Sequence, residues 1–227
     1  MKTSITSNSR PLLRAFYAFL IIVALLWAMP RNARAQLYVG HEIPPKGGGS
    51  GGVVSEYNAD TGELIKAKFI RRLDVPAGLA VFDKDNALFV SNEITEKIGK
   101  YDAATGFAIN TSFITGLDLP IEIAVEGKTL FVGSGDIPGS VGKYNANTGK
   151  AINASFITLT GVVRIEGLVL MDPAPSSPTQ SFLFMSESNP GDLGSVGKYN
   201  ARTGATINAN FITGLTQPSA IAVKSAK

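Results

Sequence analysis

No cysteine occurs in the 227-residue chain, so neither a disulfide nor a thiolate metal site can hold it together. One histidine, His41, excludes a histidine-cluster metal centre and leaves no Ser-His or Cys-His arrangement legible. Charged residues are sparse, at 17%. They are also uneven: the first 35 residues carry Lys2, Arg10, Arg14, Arg31 and Arg34 and no acid. No apolar run reaches the ~20 residues that span a bilayer. The longest, Ala15 to Met29, has 15.

That run has a basic segment before it, Pro30 after it, and then Ala33-Arg34-Ala35, small residues where a signal peptidase reads. The pattern predicts a signal peptide over 1–35 and export to the periplasm or beyond, with an uncleaved N-terminal anchor as the alternative. Without those 35 residues, 16 basic residues face 18 acidic ones. The basic balance of the whole chain therefore belongs to the leader and gives no reason to expect nucleic acid as a partner. The remaining 36–227 must be stabilised by a core alone, and a domain of that size buries about 70% of its unfolded surface.

What the chain has in place of these features is repetition. "VGKYNANTGKAINASFI" begins at Val141 and "VGKYNARTGATINANFI" at Val196, with looser copies from Val54 and Ile98. Tyr57, Tyr101, Tyr144 and Tyr199 mark the units. Thr-Gly stands four and five residues after each, and Phe-Ile twelve and thirteen after each. Each unit reads as four short β runs, called a, b, c and d here. In the third these are "IEIAV", "TLFVG", "SVGKYNA" and "AINASFI". Gly in "NANTG" suits the positive φ of a tight c–d turn. Alternation predicts Ile152, Ala154 and Phe156 on one face of run d, with Asn153 and Ser155 on the other.

A four-stranded meander of about 43 residues has the length of a β-propeller blade. The expected fold is therefore all-β, a propeller of four four-stranded antiparallel blades forming one domain over 36–227. The chain opens on a b run, "QLYVG", and ends on a spare a run, Ile221-Ala222-Val223. Pairing the last strand into the first blade would close the ring and remove an open edge. The alternative is an open arc completed by a second chain.

"PAGLAVFDKDNALFVSN…KIGKY" and "PIEIAVEGKTLFVG…GSVGKY" resemble the NHL-type propeller repeat, in which Pro leads into an apolar strand, a turn and an aromatic strand. The whole of 36–227 is also similar to secreted bacterial propeller-repeat proteins of unassigned role. The likeness implies a fold far more than an activity. The third d–a connection departs from it by lacking the Pro, and 172–181 is an insertion, "DPAPSSPTQS".

The c–d turns are near-copies, whereas the b–c loops differ in every unit, which makes that end of the ring the candidate binding rim. Its carboxylates are Glu42, Glu93, Glu96, Asp136, Glu187 and Asp192. Around one mouth they would suit a polar ligand or a calcium ion, although no cofactor is required. His41 beside Glu42 is a candidate metal ligand or base that lacks the usual partners. "KGGGSGG" from Lys46 has glycine but not the ending of a phosphate loop. Asp83, Asp85 and Asn86 read as a turn in preference to a calcium loop, and Lys100, Lys143 and Lys198 as solvated lysines.

Two functions follow. One is a non-enzymatic binding or scaffold propeller whose rim loops take a protein, glycan or small ligand. The other is a divalent-metal-dependent hydrolase or lyase similar to the gluconolactonase family, which seats a cation in the central channel with Glu, Asn and Asp. No residue of this chain aligns with those ligands individually. Monomer and ring-completing homo-oligomer are both compatible with the repeat.

Overall fold

The computed structural model describes residues 35–43, 51–161, 163–171, 180–188 and 193–224. The expected leader, most of the glycine-rich loop, nearly all of the insertion, and Asp192 lie outside them. Every sheet is an antiparallel meander. The first blade holds β1 (Gln36–Glu42), β2 (Gly52–Asn58) and β3 (Leu64–Leu73). The second holds β4 (Pro76–Phe82), β5 (Ala87–Asn92), β6 (Lys97–Asp102) and β7 (Ala108–Thr115). In the third are β8 (Pro120–Glu126), β9 (Thr129–Ser134), β10 (Ser140–Asn145) and β11 (Ala151–Thr158). The fourth has β12 (Arg164–Met171), β13 (Phe182–Ser188), β14 (Leu193–Asn200) and β15 (Thr206–Thr216). Strands a to d of each unit stand in the expected order, and the first unit lacks its a strand.

The repeated Thr-Gly follows from turn chemistry. Asn58, Asp102, Asn145 and Asn200 each end a c strand, and the Oδ1 of each accepts the backbone N–H groups two and three residues on. The chain then needs a left-handed residue, and Gly62, Gly106, Gly149 and Gly204 supply it at φ 72 to 77. The b strands of the second, third and fourth blades show no alternation, because they lie between two neighbouring strands and between two blades; β5 is buried along its whole length.

Strand d differs from expectation. Its first half is exposed on both faces, and Ile109, Ile152 and Ile207 all stand in solvent. The c–d ladders shift register two or three times past the turn, as at Val141/Lys143 and Lys143/Tyr144, so simple alternation does not survive there. As the outermost strand, d packs chiefly its Phe-Ile end in the first three blades, and in the fourth even Phe211 and Ile212 are exposed.

The lysines on strand c are less solvated than expected: Lys100 is buried, and Lys143 and Lys198 are half-buried. Lys100 is 7% exposed, lies over the rings of Phe82, Phe89 and Phe113, and pairs with Asp85 at 3.4 Å. Lys143 covers Phe131 and Phe156 and donates to the carbonyls of Ala201 and Arg202 in the next blade, both at 3.1 Å. Lys100 and Lys143 each pack their stems on aromatics and cap a turn of the next blade, so they tie blades together. Asp83 to Asp85 form a single 3-10 turn, with Asn86 left-handed at φ 48.

Three buried cores lie between successive blades. Val54, Phe69 and Ile70 meet Leu88, Val90 and Tyr101. Phe89, Ile98 and Ile114 meet Ile123, Leu130 and Tyr144. Phe131, Val141 and Ile157 meet Ile165, Leu183 and Tyr199. No such core joins the fourth blade to the first among the described residues. The closure expected from the sequence is not formed: β1 to β3 stand as a three-stranded sheet, and 218–224 make no strand ladder. The tail lies instead beside β12, where a Cβ at Gly167 would touch Ser219 and Ile221.

Candidate functional site: the b–c rim and the innermost strands

Meander topology sends the b–c loops and the d–a connections to the same end. They are laced together by main-chain bonds: Glu93 N–H to Val75 O (3.1 Å), Gly135 N–H to Leu119 O (2.9 Å), Gly139 N–H to Val163 O (2.6 Å) and Leu159 N–H to Gly139 O (2.9 Å). Ser134 Oγ donates to Asp118 O, and Arg164 Nε to Gly135 O. Val75, Leu119 and Gln217, each preceding a proline, take φ values of 41 to 49 in equivalent d–a positions. The b–c loops of the second and third blades are therefore fixed by their backbones, and their side chains point where that backbone aims them.

The expected rim residues divide into three groups. Glu42, Glu93, Glu96 and Asp136 lie at the loops with exposed or half-exposed side chains. The first three carboxylates have no hydrogen-bond or ion-pair partner among the described residues, and Asp136 Oδ1 accepts only the N–H of Ile137, its neighbour. Glu187 is not a rim residue. It falls inside β13, 7% exposed, and its Oε1 accepts the Tyr199 hydroxyl at 2.8 Å. Burial pushes its carboxyl above the usual range, while the bonds from Tyr199 and Ser195 pull it back. Asp192 lies outside the described residues. Among those described, no three His, Asp or Glu side chains gather into a cluster that could hold a metal ion.

His41 is exposed on the open edge of the first blade. Its Nε2 lies 3.0 Å from Ser55 Oγ and its Nδ1 3.3 Å from the Glu42 carbonyl. Ser55 is buried and also receives the Lys68 N–H, which makes this a local bond that ties β1 to β2.

Sequence reasoning passed over Glu122. It stands on the innermost strand β8, where the other units have Gly78, Gly167 and Ala220. Superposing the units would have revealed it as the one carboxylate in that layer. Burial raises its pKa from the ordinary 4.5 to about 7. Between those two values the folded chain binds more protons than the unfolded chain, so stability falls as pH rises through that window and levels off above it. Glu122→Gln is expected to remove that fall; urea midpoints at pH 5 and 7.5 measure it, and equal slopes in parent and variant would contradict the assignment. A cleft of about 400 Å³ also opens on the outer side between the first two blades, lined in part by Arg71, Arg72, Asp74 and Lys97.

No family model matches the sequence, and no curated protein matches it. Solved structures do. A chain from a nidogen/laminin complex superposes with a TM-score of 0.60 at 13% identity, over 82% of this chain and 65% of that one. The fold is that of a β-propeller. A gluconolactonase from Xanthomonas campestris matches at TM-score 0.48 and 18% identity, over 67% of this chain and 50% of that one. A chain of a mitotic checkpoint complex matches at 0.48 and 14%, over 81% and 61%. This propeller thus spans half to two thirds of the chains it is compared with, and at these identities the likeness is one of fold.

Proposed function

We propose that the protein is an exported, non-enzymatic binding or scaffold propeller that presents its b–c loops to a protein, glycan or small ligand. One observation carries this reading. Glu93 and Glu96 stand on a backbone-fixed loop, Glu42 ends β1, and the fold uses none of the three carboxylates. Carboxylates that stabilise nothing are free to serve a partner.

The test is a combined variant, Glu93→Gln, Glu96→Gln and Asp136→Asn. Its melting should stay within about 0.5 kcal/mol of the parent, the range of surface changes. Collapse of the fold would make these residues structural and sink the reading.

A second reading, a divalent-metal-dependent hydrolase or lyase of gluconolactonase type, is favoured by Glu122 alone. A half-buried carboxyl that titrates near 7 on the innermost strand has the poise of a general acid or base. EDTA-stripped protein given calcium separates the two. The binding reading expects no change in melting and no hydrolysis of gluconolactone. Calcium at a hundred times its Kd would add about 2.7 kcal/mol if a site existed. That gain, together with hydrolysis lost in Glu122→Gln, would replace the binding reading with the enzymatic one.

A further inference from the structure

Each of the three joints between blades is made by the same parts. The leading blade offers an Ile on strand d, a Phe carbonyl just before it, and in the second and third blades a strand-c lysine. The following blade offers a Leu on strand b, an Ala in the c–d turn, and the turn glycine. A Cβ at Gly106, Gly149 or Gly204 would collide with the carbonyl of Phe69, Phe113 or Phe156, so these turns sit directly on the preceding blade. Ala103, Ala146 and Ala201 are buried beside them.

The two ends of the arc carry the two halves of a fourth joint, unmade. On the fourth blade, Ile212 is 45% exposed, whereas Ile70, Ile114 and Ile157 in the same position are 2–5% exposed. Phe211 is similarly open. Lys198 covers Phe182, Phe184 and Phe211 and, among the described residues, caps no carbonyl, unlike Lys100 and Lys143. On the first blade, Leu37 is 49% exposed, whereas Leu88, Leu130 and Leu183 are fully buried. Ala59 is exposed and Gly62 has nothing within 4 Å.

The tail supplies an independent sign. Ser91 Oγ accepts from Gly78 N–H at 2.6 Å and donates to Ile121 O, on the next blade's a strand, at 2.9 Å. Ser186 holds the same place in the fourth blade, is 1% exposed, and its Oγ has no partner. The group that matches Ile121 O is the Ser219 carbonyl, at the start of the tail. The tail has taken the position of an a strand, beside an apolar groove of Val169, Phe184, Phe211 and Ile212, and is not drawn fully home. Among the described residues it pairs with no b strand.

We propose that the fourth-blade end of one chain docks on the first-blade end of a second copy, with Ser219–Val223 of the first pairing as the a strand against β1 of the second. The joint repeats the three internal ones, and head-to-tail contacts of this kind terminate when they close a ring. A short segment laid on β1 would satisfy only the strand edge. A whole blade face is needed to bring Ala59 and Gly62 under Lys198 and Phe211. The inference does not rest on the rim reading.

Sedimentation equilibrium of the purified protein at tens of micromolar tests it. The expected mass is twice that of one chain, halved by Val39→Asp and equally by Ile212→Asp, both at positions already open to solvent. Circular dichroism checks that each variant is folded. An equimolar mixture of the two should associate more tightly than either alone, since one joint per pair is then intact. A single-chain mass for the parent would overturn the proposal without recourse to variants. So would a larger mass that neither substitution moves, and so would a mixture no tighter than its components.

Discussion

Phe131→Ala is expected to lower the unfolding free energy by about 3–5 kcal/mol, the cost of emptying a buried phenylalanine site. Phe131 lies on β9 with no exposure, in the core between the third and fourth blades, its ring 5.8 Å from that of Phe156 and under Lys143 Nζ at 5.4 Å. Truncation removes the ring from that stack and leaves a void that two rigid sheets cannot close. Phe107→Ala is the control: its ring is 76% exposed beside the c–d turn, and its loss should shift stability by no more than about 0.5 kcal/mol. Urea midpoints at constant slope compare them. A cost below about 1 kcal/mol at Phe131 would mean that the joint between these blades contributes little, and would undo the account of stability given by the three cores.

Gly106→Ala should cost about 2–5 kcal/mol, in two parts. At φ 77, an L side chain adds roughly 1–2 kcal/mol of left-handed strain. The new methyl would also run into the carbonyl of Phe69 on the preceding blade, and such overlap typically costs a further 1–3 kcal/mol. Gly116→Ala separates the parts: it sits at φ 69 with nothing within 4 Å, so strain alone should act, about 1–2 kcal/mol. Equal costs at the two sites would show that the turn is not seated on its neighbour.

The repeat made the blades legible because every unit states the same turn chemistry. Asn or Asp, then Thr-Gly, marks each c–d hairpin, and the b runs of the second, third and fourth blades begin apolar without alternation, as strands buried on both faces do. Facing on strand d was not legible. Its register slips past the turn, and a bulge has no signature in hydrophobic alternation. Nor were the burial of Lys100 and the half-burial of Lys143, since a lysine on a sheet reads as solvated unless the aromatics beneath it and the carbonyls of the next blade are both known. Glu187 was placed on the rim because it borders a loop in sequence; in space it ends a b strand and bonds Tyr199. Glu122 is legible as the odd residue among Gly78, Gly167 and Ala220, a signal carried by a strand and not by the variable loops. Ring closure depends on the angle that three joints accumulate, which no local pattern encodes.

The seating of each c–d turn on the blade before it means that a unit recognises only its predecessor. A blade inserted between the second and third would find the same Phe carbonyl beneath its glycine and would offer the same one above. Length and contact chemistry are thus separate variables in this chain: whole units can be gained or lost by duplication without a new interface having to be invented. The near-identity of the segments at Val141 and Val196 is what such growth leaves behind.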